Sequence, residues 1–329
     1  MTLLDTYYLI KPLIPRSLQI LLRRLVARGK LPANRSVWPI DRRAATAPAG
    51  WKGWPGGKPF AFVLSHDVDT ARGHDRCLRL MELERSLGFR STFYFVPEGY
   101  AVSPEIRSRI KEAGFDVGVH GLLHDGKMFR SRRIFDERAV RVNRYLKEWN
   151  AVGFSSPSMH RNLDWVGALD IAYDISTFDT DPFEPQPDGV GTIFPFWVAR
   201  SAGPGGFLEI PYTLPQDHSL FIIFQHKDIR IWKEKLDWIA EHGGLALVDS
   251  HPDYMNFDGG KCALEEYPVG YYADLLNYVR ERYEGCFWHA RAKDVAEFWG
   301  GSGLGQERTA ERGITTRQDP QPPPRTRDS

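Results

Sequence analysis

The sequence predicts an α/β fold in which a parallel sheet closes into a β/α barrel, and three observations carry that prediction. Short apolar runs of strand length alternate with amphipathic runs of helical period, the pattern of strands joined by crossover helices. The alternation continues from Trp51 to about Gly300, roughly 250 residues, which fits one barrel better than two separate domains. Residues able to hold a metal or move a proton stand at the carboxyl ends of several strand runs, where barrels gather their chemistry.

In chain order, residues 1–50 read as an extension ahead of the barrel. After Pro15, the run from Ser17 to Arg28 sets apolar residues at helical spacing beside a basic face. Such a helix usually packs its apolar side on its own domain or on a partner subunit, and the alternative is a membrane surface. Ala44 to Gly57, rich in Ala, Pro, Gly and Trp, reads as a linker. The barrel is expected over residues 51–300. Strands are expected at Phe60 to Leu64, Ser91 to Val96, Phe115 to Val119, Ala151 to Phe154, Tyr173 to Thr177, Phe207 to Ile210, Leu245 to Val248 and Cys286 to Trp288. Helices are expected at Asp75 to Leu87, Pro104 to Ala113, Ile134 to Trp149, Asp228 to His242 and Gly270 to Tyr283. Residues 301–329, rich in Gly, Arg, Gln and Thr and carrying a Pro run, cannot bury enough apolar area to order themselves and read as a disordered tail.

Composition narrows the function classes. With 42% hydrophobic residues in 329, the chain can bury a full-sized core. A net charge of +1 provides no field to recruit nucleic acid, so no nucleic-acid partner is expected. Aromatic residues reach 13% and many lie near Gly and Pro in the second half, which suits stacking walls for a ring-shaped ligand such as a sugar. Cys77, Cys262 and Cys286 show neither a pairing pattern nor metal-ligand spacing, as in a reduced compartment. The first ten residues lack the basic start of a secretory signal, Pro12 and Pro15 interrupt the apolar run, and no run is long enough to span a bilayer. The expected location is cytoplasmic.

Three strand ends carry the candidate chemistry. The first strand runs into His66-Asp67-Val68-Asp69, and alternation of side chains puts Asp67 and Asp69 on one face with Val68 on the other. Two acids in one small volume repel unless a cation sits between them or their pKa values are pushed apart. The third strand runs into His120-Gly121-Leu122-Leu123-His124; histidines four apart lie on one side of a helical turn, where both can reach one ion. An Asp-His-His set leaves positions open for water and substrate, as in a catalytic zinc site. A later strand ends in Asp249-Ser250-His251-Pro252-Asp253, where His251 is placed to protonate a leaving group or to serve as a satisfied structural histidine.

From Pro59 to Phe298 these residues, in this order, resemble the polysaccharide deacetylases (the NodB homology group, carbohydrate esterase family 4). The resemblance implies a distorted (β/α)7 barrel and a divalent metal, commonly zinc, held by one Asp and two His. It makes Asp69, His120 and His124 the metal ligands, Asp67 the base that activates water and His251 the acid. The implied activity is removal of an acyl group, N-acetyl above all, from an amino sugar of a polysaccharide or its precursor, with carbohydrate as the partner.

Two departures stand out. The family's usual motif has adjacent aspartates, and the intervening Val68 leaves the division of roles between Asp67 and Asp69 open. This Asp-x-Asp form, with His251-Pro252-Asp253, is similar to a divergent branch that includes peptidoglycan deacetylase-like and cyclic-amide hydrolase members. The Arg that normally supports the catalytic Asp is replaced by Ser155, with Arg161 placed to reach back and grip that carboxylate. His160 is either a further site residue or a helix-start polar group. Phe178 to Trp197 is too Pro-rich for an ordinary helix or central strand and reads as a long loop, either a wall for substrate or a flap closing the barrel. Within it Asp179, Asp181 and Phe183 are candidates for substrate contact. The alternatives to an amino-sugar deacetylase are a hydrolase of a cyclic or other non-sugar amide, and a catalytically weak polysaccharide-binding or assembly protein. His124-Asp125 also raises an HD-type phosphohydrolase, which the strand-rich context disfavours.

Overall fold

The computed structural model of the chain describes residues 15–201 and 204–302. Most of the expected tail and the first 14 residues, where a leader was sought, lie outside the described residues. The barrel starts with β1 (Phe60–Val68), all nine residues of which are buried. A strand covered on both faces carries a continuous apolar run rather than an alternating one, which is why this stretch is so easily read. Further strands are β2 (Thr92–Phe95), β3 (Asp116–His120), β4 (Gly153–Ser155), β5 (Tyr173–Asp174), β6 (Phe196–Ala199), β7 (Gly206–Glu209), β8 (Leu245–Ser250), the short pair β9 (Met255–Asn256) and β10 (Tyr267–Pro268), and β11 (Phe287–His289). The helices are α1 (Arg16–Asn34), α2 (Ala71–Ser86), α3 (Pro104–Glu112), α4 (Arg132–Glu148), α5 (Leu163–Val166), α6 (Arg230–Glu241), α7 (Gly270–Tyr283) and α8 (Ala292–Gly301).

Strands β1, β2, β3, β4, β5 and β7 run parallel in that order, and β8 lies parallel on the other side of β1. The ring closes between β7 and β8 at a single parallel bridge, Leu214 to Val248. Thr213 reinforces this seam: its hydroxyl donates to the Leu245 carbonyl (2.7 Å) and accepts from the Leu247 N–H (3.0 Å). Seven parallel strands closed by so slight a contact make the distorted (β/α)7 barrel that the motifs imply. β11 runs beside the start of β1, and β6 pairs antiparallel with β7. The long segment after Phe178 closes the same weak side, since the Leu245 N–H donates to the Ile193 carbonyl (2.8 Å). Its end, read as loop to Trp197, enters β6.

Local capping explains where the crossover helices begin. Thr70, Ser103 and Ser131 accept from backbone N–H groups at the starts of α2, α3 and α4. Helix α8 was not anticipated; at its start the Asp294 carboxylate accepts from the Arg291 backbone N–H (2.8 Å) and from its guanidinium (2.7 and 2.9 Å), a device outside the usual Ser/Thr signature.

The amino-terminal extension departs from expectation twice. Helix α1 continues past Arg28 through Pro32, and it is turned with its apolar side outward: Gln19, Ile20 and Ala27 are buried, whereas Leu18, Leu21, Leu22, Leu25 and Val26 are exposed. Polar contacts fix this orientation, as Arg24 donates to the Ile222 carbonyl (2.9 Å) and Arg16 pairs with Glu265 (2.6 Å). The stretch from Ala44 to Gly57, expected as a linker, packs against the amino-terminal ends of β1 and β8. Trp54 is 3% exposed and its ring N–H donates to the Gly243 carbonyl (2.9 Å), while Trp51 stacks on Trp299 with centroids 5.1 Å apart. Trp54→Ala is therefore expected to destabilise the fold by about 3–5 kcal/mol, the scale of a large cavity. Chemical denaturation checks this; a loss typical of a surface site would show the stretch to be an appendage.

Among the described residues no helix is long and apolar enough to cross a membrane. All three cysteines are free.

Candidate metal centre

The chemistry-bearing residues gather at the carboxyl ends of β1, β3, β4 and β8. Asp67 lies in β1 and Asp69 just past it, with Val68 fully buried in the packing between them. Asp253, after β8, pins this strand end by accepting from the Asp69 N–H (3.0 Å) and the Thr70 hydroxyl (2.5 Å). Gly73 in the first turn of α2 permits that approach: a Cβ there would lie 2.0 Å from Asp253 Oδ2.

His120 ends β3. The residues after it bend rather than form the expected helical turn, because Gly121 takes a left-handed conformation (φ 60°) against the Pro157 ring. The bend delivers His124 to the same place. His120 Nε2 and His124 Nε2 each lie 3.4 Å from Asp69 Oδ1. Ligand atoms about 2.1 Å from a tetrahedral zinc are about 3.4 Å apart, so these separations suit an ion between them. The proton arrangement agrees. The Ser155 hydroxyl donates to Asp67 Oδ2 (3.1 Å), so it accepts from His120 Nδ1 (3.1 Å), and the Nε2 lone pair is left facing Asp69. Asp69 Oδ1 is buried with no hydrogen-bond donor, and Asp69, His120 and His124 bring their ligand atoms within 4.8 Å of one another. Converging lone pairs without donors are what a cation would satisfy.

Electrostatics divide the two acids. Burial, then the charges of Asp249 and Asp69, push the Asp67 carboxyl well above the usual carboxylate range, with His251 and Ser155 opposing. Burial also works to raise Asp69, but His124, His120 and His251 prevail and hold it below that range. Burial lowers His120 to about 4, against the pull of Asp69, so its ring is neutral as a metal ligand must be.

His251 follows β8 and is held by Asp217. Its Nδ1 lies 2.7 Å from Asp217 Oδ1, its N–H donates to Oδ2 (2.9 Å), and the Tyr267 hydroxyl donates to Oδ2 (3.0 Å). Burial lowers the His251 pKa, yet Asp217 outweighs it and the ring ends well above its ordinary value. Asp249 accepts from Ser65 (3.2 Å) and Gln216 (2.6 Å), and burial lifts it to about 6. It joins Asp67 and His251 in a second close group of donor atoms.

The remaining candidates fall elsewhere. The Arg161 guanidinium donates to the carbonyls of Met159 and Asp188 and lies over the Phe178 ring (4.9 Å), while Ser155 supports Asp67 in its place. His160 follows the tight turn of residues 157–159, with its carbonyl accepting from the Ser156 hydroxyl. Asp181 is buried and shares the Tyr212 hydroxyl with Glu184; burial and Glu184 raise it to about 7. Asp179 is bound to the buried Lys235 (2.9 Å). Phe183 packs between Trp38 (5.1 Å) and Phe224 (4.8 Å) rather than standing as a free wall. Asp125 grips Arg138 bidentately at 2.7 Å, which removes it from the histidines and with it the HD-type arrangement. No role was expected of Asp217, Asp249 or Asp253 from the sequence. For Asp249 and Asp253 the available signal was position, at or just beyond the apolar run Leu245 to Val248; Asp217 had no such signal.

A β/α barrel whose strand ends bring Asp69, His120 and His124 together has a donor set that could hold a metal ion. Among solved structures, the chain has the fold of polysaccharide deacetylases. One named so from Mycobacterium smegmatis is 19% identical with a TM-score of 0.62, the match covering 78% of this chain and 96% of that one. Another named so, from Pseudomonas aeruginosa PAO1, is 16% identical with a TM-score of 0.57, covering 76% and 94%. Puue allantoinase is 15% identical with a TM-score of 0.60, covering 81% and 99%. No family model matches the sequence, and no curated protein matches it.

Proposed function

We propose that the chain is a metal-dependent hydrolase that removes an acyl group, N-acetyl first among them, from an amino sugar of a polysaccharide or its precursor. The observation that carries this reading is the convergence of Asp69, His120 and His124 within one small volume that also borders Asp67, Asp249 and His251. Asp69, His120 and His124 would hold a divalent ion, zinc by the chemistry of the donor set, and a bound ion supplies Lewis acidity toward a carbonyl and toward water. Asp67 accepts the proton of the attacking water at Oδ1, the oxygen that has no donor, while Ser155 fixes the other oxygen. His251 donates from Nε2 to the departing amine, because Asp217 holds Nδ1–H and favours the imidazolium.

A second reading, hydrolysis of a cyclic amide, is favoured by the likeness to Puue allantoinase over nearly the whole of that chain. Products separate the two. Protein reconstituted with zinc or cobalt is given N-acetylhexosamine oligomers and, separately, a cyclic ureide. Acetate release, lost in Asp67→Asn, is expected; ring opening without acetate supports the second reading. Equal rates for wild type and Asp67→Asn on both substrates would remove hydrolysis altogether.

A further inference from the structure

Helix α1 meets the barrel with Gln19, Ile20 and Ala27 and with the arginines beside them. Arg24 and Arg16 make the contacts described above, and Arg28 donates to Gln225 (3.1 Å). The opposite side carries Leu18, Leu21, Leu22, Leu25 and Val26, each 42–58% exposed. At about 100° per residue these five fall within an arc of roughly 140°, the width of a stripe that helices normally turn toward a core. Single exposed leucines are ordinary, but five contiguous apolar side chains along one helical face mark an interaction surface.

Charge says which kind. Between Arg16 and Arg43 the chain carries eight Arg or Lys and a single acid, Asp41, although the whole protein has a net charge of only +1. Helical spacing puts Arg28 next to Leu21 on one flank of the stripe and Lys30 next to Val26 on the other, and both are exposed. A second copy docked face to face would set these cations against their own kind. An anionic bilayer matches both features, taking the apolar stripe into the boundary of headgroups and acyl chains and the cations at the phosphates.

We propose that α1 is an interfacial helix that docks this protein on an anionic lipid bilayer. No residue of the stripe belongs to the set Asp69, His120 and His124, so the proposal stands or falls independently of the hydrolytic reading. The test is sedimentation of the full chain with vesicles of phosphatidylcholine alone and of phosphatidylcholine mixed with phosphatidylglycerol, at low and high salt. Binding to the anionic vesicles is expected, weakened by salt and lowered at least about 10-fold in Leu21→Ser/Leu25→Ser. Arg28→Gln/Lys30→Gln should lower it less and remove much of the salt dependence. The substituted residues are exposed, so an unchanged melting temperature keeps the comparison free of unfolding. Failure of the full chain to bind anionic vesicles, or equal binding by the Leu double variant, overturns the proposal. So does a dimer in light scattering that Leu21→Ser/Leu25→Ser dissolves, because the stripe would then be covered by a second copy.

Discussion

Alanine at His124 is expected to abolish high-affinity metal binding and hydrolysis together. His124 supplies one of three converging donors, and its side chain is 33% exposed, so its removal leaves little cavity and the fold should persist. The loss should exceed the roughly 10–100-fold that follows removal of an outer partner of a metal ligand. His120→Ala should lose metal as completely but with lower stability, because that ring is buried and bonded to Ser155. Metal content and titration calorimetry, with circular dichroism as the control, check both. Retention of wild-type affinity in His124→Ala would place the ion elsewhere.

The second large effect is expected from Asp217→Asn. The Asp217 carboxylate raises the His251 pKa above its ordinary 6.5, so the imidazolium persists at low pH and is lost as pH rises through the raised value. Without that charge, burial dominates and the pKa falls. The alkaline limb of the pH–rate profile should therefore move to lower pH, and the rate near neutrality should drop by about 10²–10⁴-fold. Stability follows the same sign: the pair's contribution is full below pH 6.5 and fades as pH climbs through the raised pKa of His251. An alkaline limb unmoved in Asp217→Asn would reduce Asp217 to a structural partner.

Most of the candidate centre was legible because its signals are local. Alternation along an extended chain puts Asp67 and Asp69 on one face whatever surrounds them, and the apolar runs before Asp67, His120 and His251 mark strand ends without help from distant contacts. Other features were illegible for the opposite reason. Asp217 meets His251 from 34 residues away, across the narrow seam at Leu214 and Val248, and nothing near Asp217 announces that meeting. Arg161 has the chemistry to support Asp67, yet the turn at residues 157–159 aims it at Met159, Asp188 and Phe178. Helix α1 has an apolar side that periodicity finds at once; which way that side faces depends on Glu265 and on the carbonyl of Ile222.

The sequence by itself determined the order of the seven barrel strands and of the long helices between them, and the residue types at the strand ends, because periodicity, caps and side-chain alternation act over a few residues. Only the tertiary structure decided that those ends share one volume, that Ser155 and not Arg161 holds Asp67, that Asp217 orients His251, and that α1 shows its leucines outward. Those outcomes rest on contacts between residues far apart in the chain, whose distances are set by how the barrel closes.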